Sequence, residues 1–134
     1  MKKRSLFLLA NAGSFLILYW ISAFFLQDVY LPDWTAQNHY LYLWIAPIVL
    51  DLLDLHWVSV SISLGNLAGV IFGQVMGDFI VRIHTAKITP EMSHGQAQQL
   101  RTHPGFLIWL GMILLFILAG ILLQKRHQGG LNHV

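Results

Sequence analysis

A ladder of small residues in the middle of the chain constrains its fold more than any other feature. A small residue recurs at every fourth position, at Ser61, Gly65, Gly69, Gly73 and Gly77, within an apolar stretch covering residues 57–81. Glycine inside a helix is costly in water, whereas in lipid it lets a second helix backbone approach closely. The ladder therefore predicts a membrane helix packed against another helix, without identifying that helix.

The composition also predicts a membrane protein. Hydrophobic residues make up 56% of the 134 residues and charged residues 10%, against about 25% charged in a typical soluble domain. We therefore expect an all-α integral membrane protein, a small bundle of three to four transmembrane helices forming one domain. The net charge of +2, without a dense basic stripe, argues against a nucleic-acid partner. The chain has no cysteine, which excludes thiolate metal sites and cysteine nucleophiles.

Three segments are apolar and long enough to cross a bilayer, at about residues 5–27, 57–82 and 105–124. A fourth apolar segment, residues 40–53, is short and contains Pro47, so it is either a short span or a re-entrant or interfacial segment. Residues 83–104 form a polar loop in which Thr89 and Pro90 predict the start of a short surface helix.

The charge distribution leaves two topologies open. If residues 40–53 span, both termini share one side, with five basic residues there (Lys2, Lys3, Arg4, Lys125 and Arg126) against three on the other side. If they do not span, the count is six against two, which the positive-inside rule weakly favours. In both topologies the N-terminus is cytoplasmic and residues 28–39 are external. The expected location is a bacterial cytoplasmic (inner) membrane.

The start of the ladder segment carries a second ambiguity. In residues 57–64, β-branched or leucine residues alternate with Ser59, Ser61 and Ser63. Strict alternation is typical of a strand. A helix explains more, since Ser61 continues the four-residue ladder and the apolar run is unbroken to Val81. A short strand at residues 57–63 stays as the alternative.

Polar residues inside the predicted spans are candidates for function because they are costly in lipid. Asn66, Gln74 and Asp78 lie beside the ladder glycines on a helical wheel, where they could line a wet path or a substrate-facing wall. Hydrogen bonds between helices are the favoured interpretation. Asp78 and Arg82 are four residues apart, which predicts an ion pair at the end of the helix.

Asp51, Asp54 and His56 form the densest cluster of acidic and imidazole groups. Two carboxylates and a histidine could bind a divalent metal or shuttle protons. Their spacing matches no strong metal motif, and a turn of the chain at the membrane surface is the favoured interpretation. We predict no metal and no cofactor.

The sequence therefore predicts a small non-enzymatic membrane protein. It would be an accessory or assembly subunit that packs, through the glycine ladder, on a larger membrane complex or on copies of itself. Its partners would be the lipid bilayer and a membrane protein. One alternative is a homo-oligomeric channel, transporter or pore former lined by the polar residues beside the ladder. A second alternative is a membrane-embedded hydrolase or metal site built on Asp51, Asp54 and His56.

Overall fold

The structure is a computed structural model that describes residues 2–38 and 40–131, and within them the side chains of residues 5–37 and 43–129. This part of the chain is helical, with turns and no strand. The helices are α1 (Lys2–Phe25), α2 (Tyr30–Asn38), α3 (Tyr40–Leu52), α4 (His56–Thr85), α5 (His94–Arg101) and α6 (Gly105–Leu131). The all-α class is confirmed, and α1, α4 and α6 are each long and apolar enough to cross a membrane.

The start of α1, the start of α4 and the end of α6 lie together at one end of the bundle. Phe7 stacks on His56 with ring centroids 4.9 Å apart, and the Trp57 ring contacts His127. At the opposite end the Tyr30 ring lies 4.4 Å from His103. We call these the N-terminal end and the loop end. Since α1 and α4 both run away from the N-terminal end, α2 and α3 return the chain between them.

Helix α2 is not predicted from the sequence, because residues 28–39 are polar and contain Pro32. Leu31 is fully buried, and the hydroxyl of Thr35, only 1% exposed, donates to the Pro32 carbonyl. The Leu31 amide donates to Gln74 Oε1 of α4 over 2.8 Å. Helix α2 is therefore packed into the bundle through its apolar side.

Residues 57–63 belong to helix α4, so the alternative of a strand there is wrong. The alternation of serines reflects packing and not a strand, since the start of α4 contacts α1 and α3 on one side and α6 on another. Ser59 and Ser63 hydrogen-bond toward α1 and α3, while Ser61 packs against Gly120 of α6. Small polar residues suit these two contacts, and valine or isoleucine fills the positions between them.

The ladder of α4 packs against α6 of the same chain, and this is the most extensive contact between described helices. A Cβ atom added at Gly69 would lie 2.9 Å from the Trp109 ring. One added at Gly73 would lie 2.7 Å from the Gly105 carbonyl oxygen, and one at Gly105 would lie 2.8 Å from that of Gly73. The two backbones thus approach as closely as glycine allows.

The turn between α3 and α4 is a Schellman motif. The Leu55 amide donates to the Leu50 carbonyl and the Asp54 amide to the Asp51 carbonyl. Asp54 occupies the left-handed position of this motif with φ 58°, which is usually taken by glycine. The motif ends α3 abruptly, and three residues separate it from the start of α4.

The boundaries of the later helices differ from the predicted ones. Helix α5 starts after Ser93 rather than at Thr89, because Ser93 and Gln96 form a reciprocal capping box. Helix α4 continues to Thr85, so the loop is shorter than residues 83–104, and α6 continues beyond residue 124 to Leu131.

The ladder contact predicts opposite effects of one substitution at two glycines of the bundle. Gly73→Ala places a methyl group against the Gly105 carbonyl and should destabilise the protein by about 1–3 kcal/mol. Gly111→Ala meets no atom within 4 Å and should stabilise it by up to about 1 kcal/mol through helix propensity. Unfolding by sodium dodecyl sulfate in mixed micelles measures both. Equal effects would contradict the close approach of α4 and α6.

The left-handed conformation of Asp54 predicts the effect of two substitutions there. Asp54→Gly removes the steric cost of a Cβ atom and should leave stability equal or up to about 1 kcal/mol higher. Asp54→Val should lower it by at least about 1 kcal/mol, since β-branched residues rarely adopt positive φ. The same micellar unfolding assay compares them, and a valine variant as stable as the glycine variant would exclude the Schellman turn.

Candidate functional site

A buried polar network ties three helices together at the N-terminal end, and Asn11 of α1 is its centre. Asn11 is 3% exposed, and its Nδ2 donates to Asp51 Oδ2 of α3 and to Ser59 Oγ of α4, each over 2.7 Å. Its Oδ1 accepts from the Ser63 hydroxyl over 2.8 Å. Asn11 therefore uses both ends of its amide to join α1 to α3 and α4.

Asp51 is a fully buried carboxylate, which is costly unless it is paired and hydrogen-bonded. Besides the Asn11 amide it has His56 Nδ1 as a neighbour, 3.0 Å from Asp51 Oδ1. This contact assigns the proton to Nδ1, which donates to the carboxylate. His56 Nε2 is left facing Asp54, 3.7 Å from Oδ1 of that exposed side chain. The His56 imidazole therefore lies between Asp51 and Asp54.

His56 lines a groove at the surface of the N-terminal end. The groove has a volume of about 670 Å³, and its walls are Leu6, Phe7, Asp54, His56, Trp57, Gln124, His127 and Gln128. Phe7 stacks nearly parallel on the imidazole, at an interplanar angle of 6°. Gln124 closes one wall, since its side chain accepts from the Trp57 amide and donates to the Asp54 carbonyl.

A second aspartate–histidine contact lies at the loop end. Asp78 Oδ1 is 3.2 Å from His103 Nε2, and Asp78 Oδ2 accepts from Gln74 Nε2 over 2.9 Å. His103 Nδ1 accepts from the Gly105 amide over 3.0 Å, so the imidazole caps the start of α6. The predicted partner of Asp78, Arg82, is an exposed side chain, and Asp78 pairs with His103 instead.

The polar residues predicted beside the ladder are hydrogen-bonded to neighbouring helices. Asn66, only 1% exposed, accepts from the Trp109 indole of α6 over 3.0 Å. Gln74 accepts from the Leu31 amide of α2 while it donates to Asp78. Each of these side chains thus bridges elements of the bundle.

Three residues of these networks escape a sequence-based search, namely Asn11, His103 and Trp109. Asn11 could have been found, because an asparagine in the middle of an apolar span is costly unless it has a partner. His103 and Trp109 give no such signal, since a loop histidine and a tryptophan near a span end both have ordinary explanations.

Loss of the Asn11 side chain should lower the free energy of unfolding, because the buried Asp51 carboxylate loses a hydrogen bond. Asn11→Ala removes one hydrogen-bond partner from each of Asp51, Ser59 and Ser63 and should destabilise the protein by about 2–4 kcal/mol. Ser14→Ala is the matched control, since the Ser14 hydroxyl only donates to a carbonyl of its own helix, and should cost less than about 1 kcal/mol. Unfolding in mixed micelles compares them, and similar losses would contradict the network.

The two aspartate–histidine contacts differ in what they leave free for chemistry. His103 has both ring nitrogens engaged by protein groups, so its arrangement is structural. His56 is oriented by Asp51 and lines the groove, where Nε2 of the neutral imidazole is left to accept one hydrogen bond. No family model, curated protein or solved structure matches this chain.

Proposed function

We propose that this chain is a small non-enzymatic integral membrane protein that acts as a subunit of a larger membrane assembly, with a membrane protein or a copy of itself as its partner. The proposal rests on one observation, which concerns two glycines inside apolar helices. Within the described part of the chain, a Cβ atom added at Gly13 of α1 or at Gly111 of α6 has no atom of a neighbouring element within 4 Å. All four ladder glycines, by contrast, meet such atoms at short distance.

The spacing of the charged contacts supports placement in a bilayer. His56 and Asp78 mark the two aspartate–histidine contacts, and the 22 residues of α4 between them rise about 33 Å. This matches the roughly 30 Å hydrocarbon core of a bilayer. Large apolar side chains such as Leu16, Phe72 and Leu115 are more than half exposed along the same length, which suits contact with lipid or another helix.

The orientation follows from the basic residues at the two ends. We propose the four-pass topology, in which residues 40–53 also span, with Lys2, Lys3, Arg4, Lys125 and Arg126 at the N-terminal end against three basic residues at the loop end. The positive-inside rule then favours a cytoplasmic N-terminal end. We keep a bacterial inner membrane as the proposed compartment, in line with the sequence-based expectation.

The ladder itself is not the surface on which we place the partner. Helix α6 covers it within the same chain, and the Gly73–Gly105 contact leaves no space for another backbone. Gly13 and Gly111 are different, because a glycine in a helix costs about 1 kcal/mol relative to alanine and no described residue of this chain occupies the space beside them. In membranes, small residues of this kind admit a neighbouring helix.

The polar side chains support a non-enzymatic role over the two alternatives. For a channel, the lining residues would be Asn66, Gln74 and Asp78, yet each is hydrogen-bonded to protein groups. For a hydrolase, the Asp51–His56 contact would need a nucleophile, and the nearby Ser59 hydroxyl donates to the Pro47 carbonyl. No three histidine or acidic side chains in the described part of the chain converge closely enough to hold a metal ion.

Leucine substitutions at the two open glycines test the proposal. Gly13→Leu and Gly111→Leu fill space that the bundle does not use, so the thermal stability of the isolated chain should be unchanged or higher. The gently extracted native complex should lose the partner in at least one of the variants, because a leucine side chain holds two helix backbones apart. Native mass spectrometry measures the mass of the complex.

The matched control is Gly95→Leu. Gly95 also has open space around it, but it lies on the polar helix α5, outside the proposed membrane region. This variant should keep the wild-type complex. If both membrane variants also kept the wild-type mass and composition, or if the wild-type chain were monomeric, the proposed subunit role would be wrong.

A further inference from the structure

We propose that the groove at the N-terminal end binds a lipid whose headgroup carries a primary ammonium group, with the ammonium at Asp54 and His56 and the hydrocarbon against the apolar wall. The groove has a volume of about 670 Å³, which is the size of a small-ligand site. It lies beside the starts of α1 and α4 and the end of α6, which is a membrane boundary in the bilayer placement proposed above. The inference rests on that placement and not on the subunit role.

His56 offers the groove a hydrogen-bond acceptor. Asp51 Oδ1, 3.0 Å from Nδ1, holds the proton of the neutral imidazole on that nitrogen, so Nε2 carries a lone pair. Opposite Nε2 lies another acceptor, Asp54 Oδ1, and the 3.7 Å between the two atoms is longer than a hydrogen bond. A ligand group with two or more N–H donors complements such a pair of acceptors.

The charge of the groove specifies that this donor is a cation. Asp54 is the only formally charged residue of the described lining, and its side chain is 75% exposed. The groove residues of α6 share a sector of about 100° on that helix, and Lys125 and Arg126 fall outside it. An ammonium group supplies the compensating charge. Two of its three N–H donors can bind Asp54 and His56 after a small rotation of the exposed carboxylate.

The other part of the groove is apolar and faces outward. Leu6 is 68% exposed and Trp57 is 43% exposed, and the Phe7 ring that stacks on His56 also lines the groove. A hydrocarbon chain at the membrane boundary covers such side chains, whereas a small hydrophilic amine leaves them in water. We therefore assign the ammonium group to a lipid headgroup and not to a free amine.

Native mass spectrometry of the full chain in a neutral detergent tests the proposal by titration with phosphatidylethanolamine and, separately, with phosphatidylcholine of the same acyl chains. The two lipids share the phosphate and differ at the nitrogen, which has N–H donors only in the first. The wild-type chain should bind one phosphatidylethanolamine roughly tenfold more tightly, the ratio expected for a hydrogen bond between charged groups. Equal binding of the two lipids would overturn the proposal.

Substitutions of Asp54 test the carboxylate without disturbing the turn. Asparagine and glycine both tolerate the left-handed conformation of this position, so Asp54→Asn and Asp54→Gly should fold as the wild type does, which micellar unfolding checks. Both variants should lose most of the preference for phosphatidylethanolamine.

The matched control is Asp33→Asn, which removes the same charge at the loop end. The Asp33 carboxylate accepts from Gln37 of its own helix, and this variant should keep the tenfold preference. A preference that survives both Asp54 substitutions, or one that Asp33→Asn also abolishes, would overturn the assignment to the groove.

Leu6→Gln tests the apolar wall, because it makes an exposed part of that wall polar without changing any charge. It should weaken the binding of both lipids by at least about threefold and leave their ratio unchanged. Unchanged affinity for both lipids would show that the hydrocarbon does not lie on this wall and would overturn the proposed pose.

The headgroup alone distinguishes the two sources of the ammonium group. Phosphoethanolamine at millimolar concentration should leave phosphatidylethanolamine bound, because the acyl chains contribute to binding. Displacement of the lipid would make the groove a site for small amines and overturn the lipid assignment. All of these readouts use the isolated chain, so they are independent of whether the complex of the Gly13 and Gly111 variants changes.

Discussion

The close approach of α4 and α6 is the contact on which the rest of the structure depends. Two backbones meet at Gly73 and Gly105 with no room for a Cβ atom on either side. This approach brings Trp109 within hydrogen-bonding distance of Asn66, and the His103 imidazole against Gly77. In a bilayer, where apolar burial does not drive helices together, such contacts and interhelical hydrogen bonds carry the association. The ladder thus fixes the scaffold against which α1, α2 and α3 pack.

This contact shows that the ladder residues pack helices within one chain. From the sequence alone the ladder suggests a surface for a partner. In the fold it forms the contact between α4 and α6 of the same chain. Within the apolar parts of α1, α4 and α6, the described glycines that internal packing does not explain are Gly13 and Gly111. Polar residues follow a similar pattern, since Asn66 and Gln74 bridge elements of the bundle whereas His56 faces a groove. The proposed partner surface therefore lies where the fold leaves space beside glycines unfilled.

The sequence predicts local structure well because helix length, apolar run and glycine spacing are local signals. The ladder helix and the short helix of residues 40–52 follow from them. Helix α2 could not be predicted, since its buried face amounts to a few residues such as Leu31 and Thr35 within a polar segment. The predicted start of α5 at Thr89 is wrong, because Thr89 with Pro90 and Ser93 with Gln96 both match helix-start patterns. At the site, the Asp51, Asp54 and His56 cluster is local in sequence, whereas Asn11 lies 40 residues from its partner.

The central claim is that the ladder of α4 packs against α6 of the same chain. Disulfide cross-linking between the two helices tests it most directly, since the native chain has no cysteine. A Cβ atom at Gly120 would lie 2.7 Å from that of Ser61, about 1 Å closer than in a disulfide, so Ser61→Cys and Gly120→Cys can bond once the two helices separate slightly. On oxidation in native membranes, we expect a disulfide within one chain. It would be seen as a monomer whose α4 and α6 peptides stay joined after proteolysis. A covalent dimer, with the ladder of one chain joined to α6 of another, would contradict it.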